Sequence, residues 1–276
     1  MFARRFLILA LSLMFAGCSA AQPSPPRLAY GLPTLSEVTY HLGDTTTVSI
    51  SMMGQRLELA QTGVADYAVT FEAVPGGIVS SLSVVELAAT INQPMGAPIQ
   101  LDRSDVSGRL VFTLDRQGNA TISERLVVSD VASQMISSLA LAHTFFPGLP
   151  GRAVAPGESW VDTVSYEGSE GAGTRSELSV TRYTVVGDTV VGGHSLLVIS
   201  LEGTAESTTE MEFGGMAVKQ SSNVEVSGHI LWDSQRGLMF ESVKTATGSG
   251  TVSVPVAPVP LPIEIRSILR VRLQRE

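Results

Sequence analysis

Hydrophobic and polar side chains alternate along most of the chain after Ser36. Close to the C-terminus, apolar side chains share one side of an extended chain: Ile263, Ile265, Leu269, Val271 and Leu273. A period of two places successive side chains on opposite faces of a strand. Runs of Val, Ile, Thr and Ser between Gly, Asp and Asn are typical of strands joined by turns. The pattern predicts an all-β, mainly antiparallel body with one buried and one solvated face.

One short segment occurs twice in similar form. Residues 106–112 (VSGRLVF) resemble residues 226–232 (VSGHILW), and each copy is followed by a turn that begins with Asp and ends with Gly. Such self-similarity indicates an internal repeat. We therefore predict a curved sheet or half-barrel built from two similar halves, the first at residues 36–128 and the second at residues 147–276.

Residues 129–146, between the two halves, have a helical pattern. The apolar positions recur every three or four residues: Val131, Met135, Leu139 and Ala142. Ser129 or Asp130 can cap the first turn, and Pro147 follows the last one. We predict one short connecting helix over 129–146. It is expected to pack on the sheet as a connector, or to cover a concave sheet as a lid.

The first 18 residues have the layout of a bacterial export signal. Arg4 and Arg5 precede an apolar run over residues 6–16, which is too short to cross a membrane as a helix because about 20 residues are needed. The run ends in FAGC at residues 15–18, and Cys18 is the only cysteine of the chain.

The FAGC segment resembles the lipobox of lipoproteins of the Gram-negative type, although that family prefers Leu where this chain has Phe15. The resemblance implies removal of a signal peptide at residues 1–17 and attachment of diacylglycerol and a further acyl chain such as palmitate to Cys18. Two or more acyl chains anchor a protein stably. By the same resemblance, Ser19 implies sorting to the outer membrane. We expect the anchored body to face the periplasm, with the cell surface as the open alternative. Residues 18–35 are rich in Pro, Ser and Ala, which predicts an extended tether.

Composition and motifs limit the binding and catalytic functions that we expect of this protein. A formal net charge of −8 argues against nucleic-acid binding. The single cysteine excludes an internal disulfide and a Cys-based zinc site.

The four histidines lie far apart in the sequence: His41, His143, His194 and His229. The acidic group at Glu202, Glu206, Glu210 and Glu212 predicts a solvated face, with weak calcium binding as the alternative. We find no catalytic motif, and we expect no enzyme activity, no metal site and no cofactor.

A lipid-anchored β-rich body with a central helix is loosely similar to the lipoprotein-carrier and lipoprotein-acceptor families of the Gram-negative envelope. It is also similar to exported bacterial proteins with repeated β halves, and this second resemblance implies no particular activity. The first resemblance implies a curved sheet over an apolar cavity, and a non-enzymatic protein that binds an apolar ligand or an envelope protein. Two alternatives stay open: a scaffold that binds its partner through a sheet edge, and a hydrolase with an unrecognised site.

Overall fold

The computed structural model describes residues 26–275 except positions 53, 95, 171–172, 214–215, 256 and 258. The predicted signal peptide at residues 1–17 and the predicted lipidation site Cys18 lie outside the described residues. Strands make up 72% of the described residues, which contain a single short α-helix, and this confirms the all-β prediction. Among these residues, none of the helices is long and apolar enough to cross a membrane.

Sixteen strands and three helical segments follow one another in the part of the chain that the structure describes. The strands are β1 (Arg27–Leu28), β2 (Glu37–Met52), β3 (Gln55–Val74), β4 (Gly77–Asn92), β5 (Ile99–Asp102), β6 (Val106–Ser107), β7 (Leu110–Leu114), β8 (Ala120–Glu124), β9 (Val127–Val128), β10 (Arg152–Ala153), β11 (Ser159–Glu170), β12 (Gly173–Val191), β13 (His194–Phe213), β14 (Met216–Asp233), β15 (Leu238–Ser253) and β16 (Leu261–Arg275). The helix α1 spans Ser138–Phe145, and single 3₁₀ turns span Arg103–Asp105 and Ala132–Gln134.

One antiparallel sheet joins the two predicted halves. Its strand order is β11-β12-β13-β14-β15-β16-β2-β3-β4-β7-β8, and β5 adds to it beside β4. The C-terminal strand β16 lies between β15 and β2, where Leu269 is opposite Asp44. The sheet is curved and is not closed into a barrel. Its two edges are therefore β11 and β8.

The helix packs against one face of this sheet through its last residue, Phe145. The ring of Phe145 lies 5.4 Å from the ring of Tyr40 and 5.2 Å from that of Tyr67. Tyr40 also donates a hydrogen bond of 2.8 Å to the carbonyl oxygen of Met239. We call the face that carries Tyr40, Tyr67 and Trp232 the inner face. The helix therefore occupies one end of the inner face.

Phe146 fills the centre of the aromatic core. It is 2% exposed, and its ring lies 5.4–6.1 Å from the rings of Tyr30, Phe71 and Phe112. Tyr30 and Leu28 come from the segment predicted as a tether (18–35). Both are nevertheless buried, and β1 pairs with β10. The second half of that segment is thus part of the folded body, because its two apolar side chains complete the core.

The helical segment is shorter than residues 129–146. Ser137 caps α1, since its hydroxyl accepts a hydrogen bond of 3.2 Å from the Ala140 N–H. Ser129 accepts a similar bond of 3.2 Å from the N–H of Ala132, the first residue of the 3₁₀ turn upstream. Serine side chains that bond to nearby backbone compete with continuous helix, which explains the break between the turn and α1.

The repeated segment has different local structures in its two copies. In the first copy Gly108, with φ of +72°, separates β6 from β7, whereas Gly228 of the second copy lies inside β14. The turns that follow are alike. The carboxylates of Asp115 and Asp233 each accept a hydrogen bond from the N–H two residues later, at 2.8 and 3.0 Å. The internal duplication stays a prediction.

Gly228 allows two neighbouring strands to approach each other closely on the inner face. A Cβ built at Gly228 would overlap the carbonyl oxygen of Val243, while a Cβ built at Gly43 meets no atom within 4 Å. Glycines at such positions let a sheet bend. We expect Gly228→Ala to lower the free energy of unfolding by about 1–3 kcal/mol because the strands must separate. Urea denaturation followed by circular dichroism measures this change.

Gly43→Ala is the matched control for this substitution. It should leave the stability unchanged or raise it by up to about 1 kcal/mol, since alanine restricts the unfolded chain. Equal unfolding free energies for the two alanine variants would contradict the close approach at Gly228.

Candidate functional site

An open groove of about 810 Å³ crosses the sheet at strands β11–β15. Nine of its fifteen lining residues carry a hydroxyl group and three are glutamates. Directly opposed residues of the inner face form one row across these strands: Tyr166, Glu177, Ser207, Ser222 and Gly250. We call this set the polar row and the cavity the inner groove. Its volume lies within the range of about 300–1,000 Å³ that is usual for ligand pockets.

Hydrogen bonds hold the polar row in place. The Tyr166 hydroxyl donates to Oε2 of Glu177 at 2.7 Å, and Nη2 of Arg175 donates to the same oxygen at 2.8 Å. The hydroxyls of Ser207 and Ser222 lie 2.9 Å apart and share a hydrogen bond. Because these side chains bond to one another, the polar surface of the inner groove is held in one arrangement.

A second row on the inner face lies two residues further along each strand. Its members oppose one another across seven strands: Val48, Ile265, Gly248, Val224, Ala205, Ser179 and Val164. All seven are half-buried, and only Ser179 has a polar side chain. We call this set the apolar row. Two residues of a strand span about 7 Å, so the polar and apolar rows form one amphipathic surface.

Four titratable groups beside the inner groove interact electrostatically, and we call Lys244, His143, Asp162 and Glu177 the charged cluster. Burial lowers the pKa of Lys244 on β15, and the negative charges of Asp162 and Glu177 oppose this shift. Burial also lowers the pKa of His143 on α1, where Asp162 and Glu177 again oppose the shift and Lys244 adds to it. Burial therefore favours the neutral forms of Lys244 and His143. Glu177 belongs to both the polar row and the charged cluster.

Of the four histidines, the structure brings His143 to this site. The others contact residues elsewhere: His41 bonds to Asp66 (Nδ1–Oδ1, 2.7 Å), His229 lies 3.9 Å from Glu241, and the ring of His194 packs 5.7 Å from that of Phe240. His41 and Asp66 line a second pocket, of about 350 Å³, on the outer face. A turn at Gly192 and Gly193, both of positive φ, precedes His194.

The acidic residues of β13 are spread along the strand. Glu202, Glu206 and Glu210 are four residues apart, which separates their Cα atoms by about 13 Å. Glu210 pairs with Lys219 at 2.7 Å. Within the described ranges, no three His, Cys, Asp or Glu side chains converge in a way that could hold a metal ion.

Sequence analysis missed Lys244 and Asp162 as site residues. They are far apart in the sequence and belong to no motif, so their electrostatic interaction depends on the fold. One local signal could have found them. Lys244 follows Ser242 and precedes Ala246 on the inner face, and Asp162 lies between Trp160 and Val164. A charged side chain at an inward-facing position of a strand is unusual and indicates a special local environment.

No protein-family model matches this sequence, and a search of curated proteins finds no match.

Proposed function

We propose that this protein is a lipid-anchored lipoprotein of the outer membrane whose inner groove binds an amphipathic ligand without chemical change. The observation that carries the proposal is the amphipathic surface formed by the polar and apolar rows. A hydrocarbon chain that packs on the apolar row is removed from water. This contributes about 25 cal/mol of favourable free energy per Å² of buried apolar area. The hydroxyls of the polar row would bond to the head group of the same molecule.

The residues that line the inner groove change the kind of ligand that we expect. The sequence led us to expect an apolar ligand, and a cavity of Leu, Val and Met side chains would suit one. One leucine and nine hydroxyl-bearing residues line the inner groove instead. A purely apolar ligand would strip water from these hydroxyls without replacing their hydrogen bonds, which costs free energy. An amphipathic molecule avoids that cost, and the predicted anchor at Cys18 would hold the groove near a membrane that contains such molecules.

A second candidate function is a scaffold that binds a protein through a sheet edge. Strand β11 favours it, because this twelve-residue strand has a sheet neighbour on one side only. Added strands bind to edges of this kind. Arg125, which follows the opposite edge strand β8, donates a hydrogen bond of 3.2 Å to the Ser169 carbonyl oxygen of β11. This bond already uses one of the backbone acceptors that a new strand would need.

Filling the inner groove should weaken ligand binding. We expect Ser222→Trp to weaken the binding of a fluorescent fatty acid by roughly tenfold or more, equivalent to about 1.4 kcal/mol, because the indole occupies the polar row. Residues 19–276 contain every element of the described fold and serve as the soluble protein for this titration.

Ser227→Trp is the control, since Ser227 is exposed on the opposite face of the same strand. It should bind the probe like the wild type. Unchanged affinity in Ser222→Trp, with a normal circular dichroism spectrum, would place the probe outside the groove and contradict the proposal.

A further inference from the structure

We infer that one end of the sheet docks on the lipid surface to which Cys18 is attached. This end carries β1 and the turns between β7 and β8 (115–119), β12 and β13 (192–193) and β14 and β15 (234–237), and we call it the tether end. The inference goes beyond ligand binding and rests on the lipid anchor of the proposed function. It assigns the contact with lipid to Leu32 and Val190.

The segment between the lipid and the folded body is short. The carbonyl oxygen of Pro26 accepts a hydrogen bond of 3.1 Å from the N–H of Val154, which is fully buried. The body is therefore held from Pro26 onward, eight residues after Cys18. Eight residues span at most about 29 Å when fully extended. The anchor thus keeps Pro26 within this distance of the lipid.

Pro26 belongs to the tether end. The strand β1 follows it directly, and the N–H of Tyr30 donates a hydrogen bond of 2.9 Å to the carbonyl oxygen of Arg116, in the turn between β7 and β8. The ring of Tyr30 also lies 5.5 Å from that of Trp232, next to the last residue of β14. The longest strands have twenty residues, which corresponds to about 65 Å. The tether spans less than half of this length, so the anchor keeps the tether end nearest to the lipid.

Apolar side chains are exposed at the tether end. Among the large apolar residues that the structure describes, the five most exposed are Leu32, Val127, Val186, Val190 and Val259. Leu32 follows the segment of Tyr30, and Val186 and Val190 lie in the last six residues of β12. Val190 is 71% exposed and comes directly before the end of the strand at the glycine turn. Burial of such side chains in the lipid interface removes them from water, which favours docking.

The charges at the tether end indicate that docking depends on apolar contact and not on attraction to anionic lipid. Arg27 and Arg116 are exposed and can contact lipid phosphates, but the exposed Asp188 lies between Val186 and Val190. The formal net charge of the whole chain is −8. Salt screens the interactions of exposed charges, so docking through apolar side chains should persist at high salt.

Docking at the tether end sets the orientation of the body. The turns at the opposite ends of the long strands point away from the lipid, and the inner groove lies within one strand length of it. Val259 is 64% exposed and lies in the segment that joins β15 to β16 at the opposite end. It is the matched control for Val190, because it is the same type of residue with a similar exposure.

Fluorescence quenching at single positions tests the inference on the full, lipidated chain. Cys18 is the only cysteine and its thiol is used by the lipid, so Val190→Cys and Val259→Cys each add one reactive thiol. Each variant receives an environment-sensitive fluorophore and is reconstituted into vesicles of phosphatidylethanolamine and phosphatidylglycerol, with and without a doxyl-labelled lipid. We expect the doxyl lipid to lower the fluorescence at position 190 roughly twofold or more, at low and at high salt, and to leave position 259 unchanged.

A longer tether separates docking from simple proximity to the lipid. An insert of about twenty Gly and Ser residues after Ala21 allows the body to move away from the vesicle. Quenching at position 190 should persist in the chain with the insert, because the tether end itself binds the lipid. Adding Leu32→Asp should abolish this quenching, while adding Val259→Asp should leave it unchanged.

The outcomes distinguish the docking surface from the anchor. Acylated protein in which position 190 is quenched no more than position 259 would overturn the docking surface and leave the anchor standing. Loss of quenching on insertion of the longer tether would overturn it as well. If mass spectrometry finds no acyl chain on Cys18, the anchor of the proposed function fails and the docking surface fails with it.

Discussion

Replacing Phe146 with Ala is expected to lower the free energy of unfolding by about 3–5 kcal/mol. Phe146 is almost fully buried, and its ring touches aromatic rings from the N-terminal segment, β3 and β7. The change removes the contact area and leaves a cavity that rigid neighbouring strands cannot fill. Urea denaturation of residues 19–276, followed by circular dichroism, gives the change in unfolding free energy.

Val190→Ala is the control, because Val190 is 71% exposed. Its unfolding free energy should stay within about 0.5 kcal/mol of the wild type. A loss below about 1 kcal/mol in Phe146→Ala would mean that the segment after α1 does not anchor the sheet as described.

Replacing Cys18 with Ser should abolish lipidation completely. A hydroxyl is a far weaker nucleophile than a thiolate, so the thioether-forming transfer of diacylglycerol that the lipobox resemblance implies cannot proceed. We expect the variant to remain unprocessed and to incorporate no radioactive palmitate. Processing is followed by the mobility of the protein on gels, and acylation by autoradiography.

Ser19→Ala is the control for this experiment, since it preserves the cysteine and a small residue after it. It should mature and incorporate label like the wild type. A Cys18→Ser variant that still matures and stays in the membrane fraction would show that the protein is held in another way.

The side chains of each strand that lie on the inner face could be predicted from the sequence, because side-chain alternation is a local property. The C-terminal apolar positions such as Val271 and Leu273 are buried on the inner face, as their spacing indicates. The order of the strands could not be predicted. Alternation fixes which face a residue occupies, but it does not identify the neighbouring strand. The insertion of β16 between β15 and β2 therefore became visible only in the structure.

The candidate site was less predictable than the fold. Serine and threonine in a strand are equally compatible with a solvated face and with a polar groove, so the polar row had no distinct signal. The burial of Leu28 and Tyr30 was hidden by the prolines that precede them, which are typical of a tether. In both cases long-range packing determined the outcome.

Native mass spectrometry of residues 19–276, exported to the periplasm without the lipid anchor, tests the central claim most directly. The claim is that the inner groove holds an amphipathic ligand. We predict a reproducible extra mass that dissociates as a single phospholipid or related amphiphile, present in Ser227→Trp and absent in Ser222→Trp. The mass of the bare polypeptide in all three proteins would contradict the claim and favour the sheet edge at β11 as the functional surface.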